Sequence, residues 1–156
     1  VLGGTVNGRK ELIDQIKLFA RHTGPAMSPF NAWLISKSLE TLAVRMDRHS
    51  ENALKLAQVL EKNPSIERVK YPMLASHPQH SIAKKQMKLG GGIVTFIVKG
   101  GVEQGRKFMN ALEMISISAN LGDTRTIATH PASSTHAKLS EAERLDVGIL
   151  PGLLRV

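Results

Sequence analysis

The chain's last residues, Leu153-Leu154-Arg155-Val156, set a guanidinium inside an apolar strand pattern. A charge in such a place is costly unless it is paired. Two pairings are open on the residues alone. One is a structural ion pair with an Asp or Glu. The other is a carboxylate ligand held through two parallel hydrogen bonds from the planar arginine fork. A second candidate is Ser118-Ala119-Asn120-Leu121-Gly122-Asp123-Thr124, which leaves a strand pattern and enters a loop. Backbone amides and an Asn side chain at a strand end suit the binding of a small polar group.

Other clusters carry less. His77-Pro78-Gln79-His80 and the pair His130, His136 offer metal-ligating side chains, but prolines interrupt both stretches and no Asp or Glu stands at a helpful spacing. They read as loop histidines at a surface or a domain contact, and no metal site is expected. Gly90-Gly91-Gly92 follows a helix pattern and precedes a strand, the reverse of a phosphate-binding loop, so it reads as a helix stop. No nucleophile elbow marks any serine as part of a triad.

The elements that must position these residues alternate. Val1 to Val6 reads as a strand end with a glycine turn, and Arg9 to His22 as a helix with Leu12, Ile13, Ile16, Phe19 and Ala20 on one face. Ser28-Pro29 opens a long helix that Asn63-Pro64 stops. Its apolar face is Ile35, Leu39, Leu42, Met46, Ala53, Leu56 and Leu60. Strands are expected over 66–71, 93–98, 115–119, 126–129 and 153–156, with helices over 81–88 and 101–113 between them. Ser140-Glu141-Ala142-Glu143 has the capping-box pattern and starts a last helix, which Gly148 ends. The pattern predicts an α+β fold, a mostly antiparallel sheet with helices on one face and a long N-terminal helix. A boundary is expected near Ser28.

Composition narrows the function classes. No run is long and apolar enough to span a membrane. There is no cysteine, which excludes disulfides and thiolate metal sites and fits a cytoplasmic protein. A net charge of +8 raises nucleic acid as a partner, but the basic residues are scattered and aromatics are only 4%, too few for base stacking. A nucleic-acid partner is therefore not expected, and a non-catalytic basic interaction module is only a remote alternative. The chain opens without Met and ends inside a strand pattern, which predicts that it continues beyond both ends.

Three blocks resemble a known family. Thr23-Gly24-Pro25-Ala26-Met27-Ser28-Pro29-Phe30-Asn31-Ala32-Trp33-Leu34, with Leu39-Glu40-Thr41-Leu42 and Arg45-Met46, is similar to the signature in the C-terminal part of the trans-sulfuration enzymes of cysteine and methionine metabolism. Asn120-Leu121-Gly122-Asp123 with His130-Pro131-Ala132-Ser133-Ser134-Thr135-His136 resembles a second block. Leu139-Ser140, Glu143-Arg144, Gly148-Ile149 and Pro151 to Val156 resemble the last. The blocks stand in family order. Gly24-Pro25, Asn31 and Asn120 look most like the O-succinylhomoserine sulfhydrylase branch; the synthase and γ-lyase branches are the alternatives.

The resemblance implies a fold-type I enzyme that uses pyridoxal 5'-phosphate (PLP), with a small amino acid as substrate and homo-oligomers, usually tetramers, as the assembly. It implies that residues 1–27 end the large PLP-binding domain and that 28–156 form the C-terminal domain. The lysine that carries the cofactor is expected upstream of Leu2, so no catalytic or cofactor-binding residue is assigned in this chain. The role implied here is substrate binding: Arg155 on the α-carboxylate, Asn120 and Leu121 opposite it, and Thr135 near the entrance.

Overall fold

The computed structural model describes residues 2–156. It divides into two compact units, one ending at Val44 and the other spanning Arg45–Val156. In the first unit, helix α1 (Lys10–Thr23) ends on Gly24, whose φ of 79° lets its N–H reach back to the Ala20 carbonyl at 2.9 Å. Helix α2 (Pro29–Leu39) starts as expected: the Ser28 hydroxyl accepts from the Asn31 N–H at 3.1 Å, and Pro29 takes the first helical position. The Asn31 side chain donates to the Leu2 carbonyl at 2.7 Å.

The strand expected over residues 1–6 is absent from Leu2 to Val6, and Val1 lies outside the described residues. β-prone residues form a strand only beside a partner that takes up the ladder hydrogen bonds, and none is paired with this segment among the described residues. The apolar stripe of α1 is present, but the described residues do not bury it: Phe19 is 69% exposed. The long helical run from Pro29 is present as two helices, α2 and α3 (Leu42–Glu61), with a turn at Glu40–Thr41. The Glu40 N–H bonds the Lys37 carbonyl, three residues back, and a Lys37–Glu40 ion pair spans the same turn. This tightening is how a helix satisfies its last carbonyls.

In the second unit α3 buries Ser50, Ala53, Ala57 and Leu60. Two of the expected inward residues, Ala53 and Leu60, are therefore core, while Met46 remains 38% exposed. This stripe of α3 shares its core with a three-stranded antiparallel sheet, ordered β1 (Ile66–Lys70), β2 (Thr95–Val98) and β5 (Leu153–Arg155). A bulge in β1 sets Ile66 opposite Val98 and Val69 opposite Phe96. The extra residue lets Ile66 and Val69, three apart, both pack against the core. Val94, Phe96, Val98 and Leu154 meet α3 and Met109 of α5 (Gly101–Asn110) in that core. Phe96 packs edge-on against Phe108 at 5.4 Å between ring centres. Each fully buried large side chain here contributes about 1.5–3 kcal/mol.

A second, two-stranded pair is parallel rather than antiparallel: β3 (Ser116–Ile117) beside β4 (Ile127–Ala128). Parallel neighbours require the chain to return to its starting end. Residues 118–126 make that return as a loop. The pair joins the main sheet through mutual 2.9 Å hydrogen bonds between the backbones of Thr129 and Arg155. Two short helices, α4 (His80–Gln86) and α6 (Glu141–Asp146), complete the unit.

The triple glycine does not stop α4, which ends at Gln86, with Met87 as its cap. Its residues allow close packing instead. A Cβ at Gly90 would stand 2.5 Å from the ring of Tyr71, and one at Gly92 would stand 3.1 Å from the Cβ of His49. Gly91 has a φ of 79°. Tyr71 is fully buried, its hydroxyl beside the carbonyls of Gly91 at 2.9 Å and Ser50 at 3.2 Å.

Candidate functional site

Strand alternation turns Leu154 into the core and leaves Arg155 out of it. The backbone of Arg155 is clamped on both sides, facing Thr95 of β2 and Thr129. The guanidinium then crosses to the returning loop. Its Nη2 donates to the Ala119 carbonyl at 2.9 Å and to the Asn120 carbonyl at 3.3 Å. Among the described residues it forms no ion pair with an Asp or Glu. Of the two pairings open from the sequence, the structural ion pair is thus not the one found. Backbone carbonyls orient the group without neutralising its charge, and Nε and Nη1 remain available for an anion.

A cavity of about 450 Å³ opens at this point. Arg155 and Val156, the loop residues Asn120, Leu121, Gly122, Asp123 and Arg125, and the α3 residues His49, Asn52 and Leu56 line it. Three of the four sequence-predicted site residues, Arg155, Asn120 and Leu121, therefore share one cavity. Thr135 does not line it; it is exposed, and its hydroxyl lies 2.8 Å from the Nδ1 of His136.

Gly122, with a φ of 84°, turns the loop at the cavity. Asp123 then closes a small turn: it accepts from the Arg125 backbone N–H at 2.8 Å, from Nε at 3.1 Å and from Nη2 at 2.8 Å. These hydrogen bonds, the side-chain ones foremost, pull the Asp123 carboxyl down to about 2. Among the described residues, Asp123 is the only carboxylate side chain on the lining, against two guanidiniums. The arrangement suits an anionic, carboxylate-bearing ligand.

Sequence reasoning missed His49, Asn52 and Arg125. For the first two there was a signal. Residues 49, 52 and 56 follow a helical spacing beside the buried stripe at 50, 53, 57 and 60, so one flank of α3 borders whatever the other packs against. Arg125 gave none, because its role depends on the path of the loop.

Of the four histidines read as surface or domain-contact residues, His77, His80 and His136 are partly exposed, and His130 is the exception. His130 is 2% exposed, with Nε2 2.8 Å from the Pro151 carbonyl and Nδ1 2.8 Å from the Ser133 hydroxyl. A carbonyl only accepts, so Nε2 carries a proton and donates to Pro151. His130 thereby ties the segment after β4 to the turn that precedes β5. A Cβ at Gly105 of α5 would meet its ring at 2.6 Å. No His, Asp or Glu cluster fit for a metal occurs among the described residues, and no helix among them is long and apolar enough to cross a membrane. Among the described residues no lysine lines the cavity.

A family model described as Cys/Met metabolism PLP-dependent enzyme matches residues 1–156. The chain is 49% identical over 155 residues to an O-succinylhomoserine sulfhydrylase of Pseudomonas aeruginosa, covering 99% of this chain and 38% of that protein. It is 46% identical over 158 residues to an L-methionine gamma-lyase of Porphyromonas gingivalis, covering 100% of this chain and 40% of that one. A crystal structure of cystathionine gamma synthase from Xanthomonas oryzae pv. oryzae, in complex with aminoacrylate and cysteine, superposes with a TM-score of 0.85 at 36% identity, covering 94% of this chain and 38% of that chain. The chain thus spans about two fifths of the length of the curated relatives it matches. A match along its whole length, with close to half its residues shared with two such relatives, means that this chain belongs to the PLP-dependent enzymes of cysteine and methionine metabolism.

Proposed function

We propose that this chain is the substrate-holding portion of a PLP-dependent enzyme that makes homocysteine from O-succinylhomoserine and sulfide. The observation that carries the reading is Arg155: a guanidinium clamped on a strand, held by two carbonyls and left unneutralised at a cavity. Its free N–H groups take the α-carboxylate of the amino acid, and the Asn120–Leu121 loop closes on it from the opposite side. This grip fixes the orientation of the Cα–H bond, and orientation of that kind accelerates the chemistry that follows. PLP, when bound, would supply the electron sink for loss of a proton from Cα and then from Cβ, and the Cβ electron pair expels the γ-acyloxy group. Succinate then leaves Cγ, and sulfide adds there. The 49% identity to the O-succinylhomoserine sulfhydrylase of Pseudomonas aeruginosa supports the choice of branch.

On this reading residues 1–27 close the large PLP-binding domain and 28–156 form the C-terminal domain. The cofactor-bearing lysine lies in the part of the protein outside this chain, the chain alone is inactive, and the complete enzyme is a cytoplasmic homotetramer.

The test is product identification by NMR, with the full-length protein, PLP, O-succinylhomoserine and either sulfide or cysteine. Homocysteine with sulfide, and little cystathionine with cysteine, is expected. Mainly cystathionine, or 2-oxobutyrate without a thiol, moves the enzyme to the synthase or lyase branch. Arg155→Lys keeps the charge and loses the fork. Losing a charge-assisted hydrogen bond of about 1.5–3 kcal/mol corresponds to a fall in kcat/KM of roughly ten- to a hundredfold. PLP absorbance should not change, and unaltered kinetics would reject the role of Arg155.

A further inference from the structure

We propose that Arg125 binds the distal carboxylate of the substrate's acyl group and so makes the cavity selective for dicarboxylic esters of homoserine over monocarboxylic ones. The inference rests on the functional reading above and names the subsite that reads the acyl group.

The cavity has two guanidiniums on its lining. Arg155 serves the carboxylate common to all amino acids, which leaves a second cation with no assigned ligand. Arg125 stands on the same returning loop, five residues beyond the Asn120 carbonyl that Arg155 holds. A ligand anchored at Arg155 thus lies along a loop that offers a second anion site farther on. The substrate of a succinyl-ester enzyme carries a second carboxylate, and an acetyl ester does not.

The local geometry fits the task. Asp123 engages Nε and Nη2 of Arg125 side-on, at 3.1 Å and 2.8 Å. The Nη1 edge points away from that pair. Arginine carries five N–H donors in a rigid plane, so one carboxylate fixes the plane while the other edge takes a second. Asp123 in turn is anchored by the Arg125 backbone N–H at 2.8 Å. This bond does not depend on the side chain, so Arg125→Ala removes the guanidinium and keeps the turn. The Arg125 side chain is 70% exposed, so water competes for it and the discrimination is moderate.

The experiment compares kcat/KM for O-succinyl-L-homoserine and O-acetyl-L-homoserine, with sulfide, in the full-length PLP-loaded enzyme. In Arg125→Ala the succinyl-to-acetyl ratio should fall about tenfold, through KM for the succinyl ester rather than through kcat. Arg125→Lys should restore part of it. An unchanged ratio in an enzyme that turns over both esters overturns this inference and leaves the functional reading standing. Equal losses for the two esters show a merely structural role and overturn it too. A wild-type enzyme that uses neither ester overturns the functional reading, and this inference with it.

Discussion

Replacing Gly90 with alanine should destabilise the protein although the backbone there accepts alanine. Gly90 has no positive φ, so the substitution by itself stabilises by about 0.4–1 kcal/mol through the unfolded chain. The folded state reverses the sign. The new methyl carbon would lie 2.5 Å from both Cζ and Oη of Tyr71 and 2.8 Å from Cε1. The ring has no free space to retreat into, because Tyr71 is fully buried. Overpacking of this kind costs about 1–3 kcal/mol. Shifting the ring also disrupts the hydroxyl's hydrogen bond to Gly91 or Ser50, which costs about 1 kcal/mol more. The difference is a net loss of roughly 1–3.5 kcal/mol.

A double-mutant cycle isolates the cause. In a Tyr71→Leu background most of the Gly90→Ala cost should disappear, since the atoms it strikes are gone. Gly91→Ala is the contrast. Its φ of 79° makes alanine strained by about 1–2 kcal/mol, with no atom within 4 Å of the new Cβ, so its cost should change little in that background. Denaturant midpoints at constant slope measure the three single and two double variants. A neutral Gly90→Ala, or one whose full cost persists with Tyr71→Leu, would refute the packing argument.

Two further outcomes follow from the polar contacts. Asp123 has a folded pKa of about 2 against an ordinary 3.8, so its pairing with Arg125 favours the folded loop fully above 3.8 and is lost as pH falls through 2. A carboxyl-carbon NMR titration should find that midpoint, and titration near 3.8 would mean that the pair is absent in solution. Ser140→Ala removes the cap of α6, whose hydroxyl accepts from the Glu143 N–H at 3.3 Å and donates to the Glu143 carboxylate at 2.7 Å. It should cost about 0.5–2 kcal/mol and raise the Glu143 carboxyl, which that hydroxyl chiefly holds below its ordinary range. Unaltered amide exchange across 141–146 would sink the prediction.

Local signals in the sequence carried most of the fold. Caps at Ser28 and Ser140 and the β-prone run before Val98 act within a few residues, and all appear as expected. Decisions that need a distant partner did not show. Leu2 to Val6 has strand-forming residues without a neighbouring strand. Gly90 to Gly92 answer to Tyr71 and His49, some 20 to 40 positions earlier in the chain. His130 looks like a loop residue in the linear chain, and only the approach of Pro151 makes it a core one. The parallel pairing of β3 with β4 was equally hidden, because residues as short as Ser116–Ile117 carry no mark of direction.

The site divides along the same line. Arg155 was legible because a guanidinium among Leu153, Leu154 and Val156 breaks the strand's apolar pattern, and such a breach needs a physical reason. The reason it has is neither of the isolated options in pure form. Two carbonyls hold it, and they come from the loop that must turn back so that β4 can lie parallel to β3. The same loop that aims Arg155 also carries Asn120, Leu121, Asp123 and Arg125 to the cavity. Strand pairing, the turn at Gly122 and the two guanidiniums are therefore one device: moving the loop would displace the carbonyls that orient Arg155 and the second cation together. Arg125 could not be found from its neighbours in sequence, because only that return path brings it to the cavity that Arg155 borders.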